Sequence, residues 1–236
     1  MTSLTDPRCA MGAKSLVDGD TVAVVVGPDE VVFHIHEKLL RSKAAFFEAA
    51  LGKEWKEGQD RAVELMDDDP DAFGGYAEWL YTGKLAVIES DGKTDFDLLS
   101  SMFGLGEKII DDRFQNCVID AFVAGTRVAT PNSTGGLNYI YPGYHTVDSL
   151  YKVTPKGSPA RRLMVEMYAL QAGDGFINVE HPEENNHEFL VDLASSLLKN
   201  RTVCQDFQDK HEELIDGTPC SYHKHGKEET CAGETR

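Results

Sequence analysis

The sequence predicts an α+β fold: a small three-stranded sheet flanked by α-helices, followed by an α-helical extension. Three observations predict it. Two β-type runs flank a turn at Gly27, the apolar period then lengthens from two to three and four residues at His36, and helix-type stripes dominate beyond Asp67.

Thr21 to Val26 is a β-branched run, read as a strand buried on both faces. Gly27-Pro28-Asp29-Glu30 is turn chemistry: Pro presets φ, while Gly and Asp accept unusual backbone angles. Val31-Val32-Phe33-His34-Ile35 returns as the partner strand, with Val31, Phe33 and Ile35 on its core side. From His36, the spacing of Leu39, Leu40, Ala44, Phe47, Ala50 and Leu51 predicts a helical pair, with Ser42 capping a second helix over Lys43 to Leu51.

Ala62-Val63-Glu64-Leu65 is the third strand. Asp67-Asp68-Asp69-Pro70 then starts a helix, because carboxylates suit its positive end and Pro suits its first position. Phe73, Tyr76, Ala77 and Leu80 form its buried stripe, and Gly83 ends it. Further on, Phe114, Val118, Ala121 and Phe122 recur at the spacing of a buried helical stripe. Thr130 to Pro155, rich in Gly, Pro, Asn and Tyr, reads as a long connector. Ser158-Pro159 opens an apolar helix through Leu170, and Phe189, Leu193, Ala194 and Leu197 mark another.

Composition narrows the partners. The 236 residues are 41% hydrophobic, enough for one good core with an annex. Forty acidic against 23 basic residues give a formal net charge of -17, which opposes contact with phosphate backbones and anionic membranes. Neither nucleic acid nor membrane is an expected partner. There is no signal-like N-terminus and no apolar run of about 20 residues, so a soluble chain of the cytoplasm or nucleus is expected. Five widely spread cysteines (Cys9, Cys117, Cys204, Cys220, Cys231) fit reduced thiols better than a disulfide framework.

The order Asp20-Thr21-Val22, Phe33-His34-Ile35-His36, Leu39-Leu40-Arg41-Ser42, Phe46-Phe47, Phe73 and Trp79-Leu80-Tyr81-Thr82-Gly83 resembles the BTB (POZ) domain. That family's pattern runs D-V-x-V, F-x-V-H-K-x-x-L, S-x-x-F, then a helix ending Y-T-G; the resemblance covers about Asp18 to Phe122 and implies later helices over Thr94 to Gly106 and Asp111 to Phe122. Beyond it, Asp111-Asp112-Arg113-Phe114, Ser158-Pro159-Ala160-Arg161-Arg162-Leu163 and Phe189-Leu190-Val191-Asp192-Leu193 resemble small fungal proteins with a single BTB domain and a helical tail. The implied organisation is a flexible N-terminus (1–17), the BTB domain (18–125), a connector (126–157), a helical extension (158–216) and a polar Cys/His tail (217–236).

The resemblance implies a protein-interaction module that homodimerises through its first strand and first helix. It also implies an adaptor bringing a protein substrate to a cullin-type ubiquitin ligase. In family dimers a buried Asp faces a basic residue of the partner, and Asp20 holds that position. Glu37 departs from the pattern, since many members carry Lys or Arg there, and Lys38 is left to answer the carboxylates. The simpler role for Asp20 is to cap its local turn. Trp79 and Tyr81 are candidate partner-binding aromatics, against the alternative that their helix buries them.

Two further clusters carry chemistry. His34 and His36, two apart on a strand, share a side, but no third metal ligand lies nearby in sequence and His36 suits a helix start. Cys220, His223, His225 and Cys231 could wrap a structural zinc, although C-x2-H-x-H-x5-C is not a standard finger spacing and a frayed tail is the plainer alternative. No G-x-S-x-G, G-x-x-x-x-G-K-[ST] or H-E-x-x-H occurs, and Gly104-Leu105-Gly106-Glu107-Lys108 reads as a helix-to-helix bend without phosphate-loop spacing. A non-enzymatic adaptor is expected. The rival readings are a transcriptional or chromatin co-regulator acting through protein partners, and a metal-dependent enzyme built on the terminal cluster.

Overall fold

The computed structural model describes residues 17–52, 61–131, 137–171, 176–200 and 222–224. Strands β1 (Thr21–Val26) and β2 (Val31–His36) form an antiparallel hairpin, with Thr21 opposite His36 and Val26 opposite Val31. Gly27 turns it at φ 75°, a left-handed angle that glycine adopts without a Cβ penalty. Helices α1 (Glu37–Lys43) and α2 (Ala45–Ala50) follow, and then β3 (Ala62–Leu65) joins β1 in parallel. The sheet order is β2-β1-β3, so β1 is central and β2 lies at an edge.

Val22, Val24 and Val26 of β1 are fully buried, while Ala23 and Val25 on the other face are half-buried. The second face is covered only in part, less than the sequence suggests. On β2, Ile35 is buried, Phe33 half-buried and Val31 exposed, although Val31 lies opposite the fully buried Val26 of β1.

Ser42 does not cap a helix. It lies inside α1, where its hydroxyl donates to the Leu39 carbonyl at 2.9 Å; Ala44, extended at φ -120°, separates α1 from α2 without a side-chain cap.

Helix α3 (Pro70–Thr82) starts as expected: Asp69 accepts from the Asp71 amide, Pro70 takes the first turn, and Gly83 closes the C-terminus at φ 68°. Phe73, Tyr76, Ala77 and Leu80 are all buried. Tyr76 centres an aromatic cluster, with Phe73 at 5.9 Å, Phe47 at 6.5 Å and Phe114 at 4.8 Å between ring centroids. Burying side chains of this size contributes about 1.5–3 kcal/mol each.

Helix α4 (Phe96–Ile109) is capped by Asp95, and α5 (Asp112–Thr126) by Asp111. The Gly104 to Lys108 segment is no bend, because α4 runs straight through it. Its glycines permit close approach: a Cβ at Gly104 would lie 2.8 Å from Val153 Cγ2, and one at Gly106 would lie 2.7 Å from Gln115 Cγ. On α5, Ala121 is only half-buried, and Gln115, Ile119 and Val123 complete the inward stripe.

The segment read as a connector is largely structured. Strands β4 (Ala129–Pro131) and β5 (Leu137–Tyr139) pair antiparallel, and Tyr144–Val153 forms helix α6. Thr146, Val147, Leu150 and Tyr151 of α6 are buried against its neighbours, with Thr146 donating to Asp97 at 2.5 Å. Helices α7 (Pro159–Gln171) and α8 (His187–Asn200) follow in the extension, with a 3-10 turn at Pro182–Glu184 between them; residues 201–216 of the expected extension lie outside the described residues. On α8, Phe189 and Leu193 face inward, while Ala194 and Leu197 are exposed.

One core runs from β1 through α4 and α5 into α6, α7 and α8. Arg161, 7% exposed, ties the extension together. Its guanidinium donates to the Tyr151 carbonyl at 2.6 Å, Thr154 Oγ1 at 3.0 Å and Glu188 Oε2 at 2.6 Å, and lies 4.3 Å from the centre of the Tyr151 ring. No helix among the described residues is long and apolar enough to cross a membrane.

Two stability tests follow from this packing. Gly104→Ala should cost about 1–3 kcal/mol, read as a lowered denaturation midpoint, because the β-branched Val153 cannot swing clear. The second concerns Asp111, whose carboxyl is pushed up by burial, against the opposing hydrogen bonds of the Phe114 amide and the Tyr76 hydroxyl. The native state therefore holds that proton more tightly, and stability falls as pH rises from the ordinary Asp value of about 3.9 to the raised native one. Asp111→Asn keeps the cap acceptor without titrating, so its stability relative to wild type should climb through that window and then level off.

Candidate functional site

The parallel β1–β3 pairing brings Arg61, the residue before β3, beside the start of β1. Arg61 adopts φ 54°, and its carbonyl accepts from the Ala23 amide at 3.1 Å. Its guanidinium then reaches Asp20 Oδ2 at 3.0 Å, the Thr21 carbonyl at 3.2 Å and Glu37 Oε2 at 3.2 Å. Glu37 opens α1, where a carboxylate suits the positive helix end, and its amide donates to the Asp20 carbonyl at 3.1 Å.

One turn on, Arg41 donates to Glu37 Oε1 at 3.0 Å and grips both oxygens of Glu48 at 2.8 and 2.9 Å. The result is an alternating row, Asp20, Arg61, Glu37, Arg41, Glu48, that runs from β1 across α1 to α2. Hydrogen bonds from Glu48 and then Glu37 push the Arg41 guanidinium further above its already high range, and Arg41 in turn lowers Glu48. Both are locked in their charged forms, which suits a fixed polar surface rather than proton transfer.

The three residues expected at a dimer face therefore lie together, in an arrangement the sequence did not suggest. Asp20 is not buried, its side chain being 80% exposed, and its counter-charge comes from Arg61 of the same chain. Glu37 is answered twice, by Arg61 and Arg41. Lys38 instead extends past Gly19, and with Glu37, Arg41, Ser42 and Glu48 it lines a shallow cavity of about 340 Å³.

The aromatic candidates separate. Trp79 is half-buried, stacked on Tyr76 at 5.9 Å and tilted against Phe114 at 5.1 Å. It belongs largely to the core. Tyr81 is 45% exposed and holds the junction between β2 and α1, its hydroxyl 3.2 Å from the His36 amide nitrogen and 2.8 Å from His36 Nδ1. His36 is thus the residue directly before α1, packed edge-on to Tyr81, while His34 is exposed. Val31 and Val32 lie exposed on the edge strand.

The larger concavity, about 570 Å³, is lined by Asp69, Asp71, Glu78, Asp95 and Asp97 among others. Three of these carboxylates have structural work: Asp69 and Asp95 cap helices, and Asp97 accepts from Thr146. The Cys117 thiol is half-buried, and burial pushes its pKa up, which favours the inert thiol.

Of the terminal cluster, Cys220, His225 and Cys231 lie outside the described residues. His223 is described, and its Nε2 faces Asp120 Oδ1 at 2.8 Å. No group of three or more metal-ligating side chains occurs among the described residues. No protein-family model matches the chain, and no curated protein matches it significantly.

Arg61→Ala tests the charged row. With Arg61 42% exposed, the loss should be no more than about 1 kcal/mol. It should shrink further in about 0.5 M salt, where exposed charges are screened, when the two proteins are compared by urea denaturation.

Proposed function

We propose that the chain is a non-enzymatic protein-interaction module of the BTB type, acting as a homodimer and as an adaptor to a cullin-type ubiquitin ligase in the cytoplasm or nucleus. The observation that carries the reading is the order of the first eight elements among the described residues: hairpin, helical pair, parallel third strand, capped helix, helical pair. Within that order Trp79 to Gly83 close α3 and His36 ends β2 directly before α1.

The charged row bears on the dimer. A second copy docking on β1 and α1 would meet carboxylates already neutralised by Arg61 and Arg41, so no unpaired buried charge would arise. Val31 and Val32 of the edge strand are also exposed, at the opposite end of the hairpin from the row, and add apolar surface of the kind association covers.

Light scattering on the purified chain should give twice the 26.1 kDa of one copy at micromolar concentration. A strictly monomeric mass at high micromolar concentration would defeat the dimer. Affinity purification from the native cell should recover a cullin; consistent recovery of nuclear co-regulators without any cullin would favour the transcriptional reading.

A further inference from the structure

Residues 222–224 lie against α4, α5 and α7, more than 50 positions away in sequence. Tyr222 is 5% exposed and its hydroxyl donates to the Glu166 carboxylate on α7. The His223 ring, with 8% of its side chain exposed, meets Asp120 on α5. Asn116, one turn earlier on α5, brackets the backbone of Lys224: its Oδ1 accepts from the Lys224 amide at 2.5 Å and its Nδ2 donates to the Lys224 carbonyl at 2.7 Å. Finally, the Lys224 ammonium lies 3.2 Å from Glu107 Oε2 on α4 and 3.8 Å from Asp112 Oδ1.

This arrangement has the parts of a peptide receptor. A side-chain amide that bonds both backbone groups of one residue fixes the register of a bound segment whatever its side chain. Separate places then read the side chains: a buried slot with a carboxylate at its end for Tyr, a carboxylate for the imidazole, and a carboxylate pair for the ammonium. Glu107 Oε1 is buried with no hydrogen-bond partner among the described residues, so the cation position retains acceptor capacity. The groove's four carboxylates, Glu107, Asp112, Asp120 and Glu166, match the basic character of the segment seated on them.

We propose that this groove between α4, α5 and α7 is a docking site for a short Tyr-His-Lys type of peptide, occupied in cis by the chain's own 222–224 and available in trans to a partner with the same aromatic, imidazole and ammonium chemistry. The cis segment is a built-in competitor. An incoming peptide must displace a segment of the same chain, and that covalent link raises the segment's effective concentration at the groove. Release of the tail therefore sets the affinity for a partner. The inference is independent of the BTB-type reading, since it requires neither a dimer nor a cullin.

The test uses the full chain and a fluorescein-labelled peptide spanning residues 218–228 with Cys220→Ser. Fluorescence anisotropy should show the peptide binding a Tyr222→Ala/Lys224→Ala variant at least about tenfold more tightly than wild type, because the internal competitor is gone. A peptide carrying Tyr222→Ala and Lys224→Glu should lose that binding, a control that leaves the protein fold untouched. Adding Asn116→Ala to the tail variant should weaken the unaltered peptide by tenfold or more, with the thermal midpoint showing that the protein remains folded. Equal affinity of wild type and tail variant, or retained binding of the altered peptide, would overturn the proposal.

Discussion

The turn between α4 and α5 is the constraint on which the rest of the structure depends. Ile110 sits there at φ 58°, an angle that costs a β-branched residue about 1–3 kcal/mol. The surrounding bonds hold it. The Gly106 carbonyl accepts from the Asp111 amide at 3.1 Å and from Gln115 Nε2 at 2.9 Å, while the Ile110 carbonyl accepts from the Ala45 amide of α2 at 3.4 Å. Asp111 caps α5 through the Phe114 amide and accepts the Tyr76 hydroxyl of α3 at 3.2 Å. Four helices thus meet on seven residues, and the buried carboxylate is tolerated because its oxygens are bonded.

From that junction two working surfaces diverge. Toward α2 and β1 lies the row of alternating Arg and acidic side chains, a surface charged but locally balanced. Toward α5 and α7 lies the groove that holds Tyr222 to Lys224. A formal charge of -17 would repel itself if spread evenly, so the placement of acids matters more than their number. Asp69, Asp95 and Asp111 cap helices, Glu37 and Glu48 grip Arg41, and Glu107, Asp120 and Glu166 hold the tail.

The extension shares its interior with the first domain, so the two are one packed unit rather than a module with an appended tail. Helix α6 makes the connection, with Val153 resting on the bare backbone at Gly104 and Thr146 bonded to Asp97. Its signal was present in the spacing of Val147, Leu150 and Tyr151, but the surrounding Gly, Pro and Asn masked it. The same limit explains Gly104 and Gly106: a helical glycine and a bend look alike until a neighbouring helix is known to need the room.

Local rules decided much. The hairpin, the parallel third strand's position in the chain, the caps at Asp69 and Gly83 and the stripe of Phe73, Tyr76, Ala77 and Leu80 all follow from propensity, turn chemistry and periodicity, which act over a few residues. Pairings between distant residues were decided only by tertiary structure. Arg61 lies 41 positions from Asp20, and His223 lies 103 from Asp120, so no spacing could reveal either pair. Asp20 and Glu37 looked like charges awaiting a partner because their counter-ion arrives through the β1–β3 register. The contact of His223 with Asp120 is set by how residues 222–224 lie against α5.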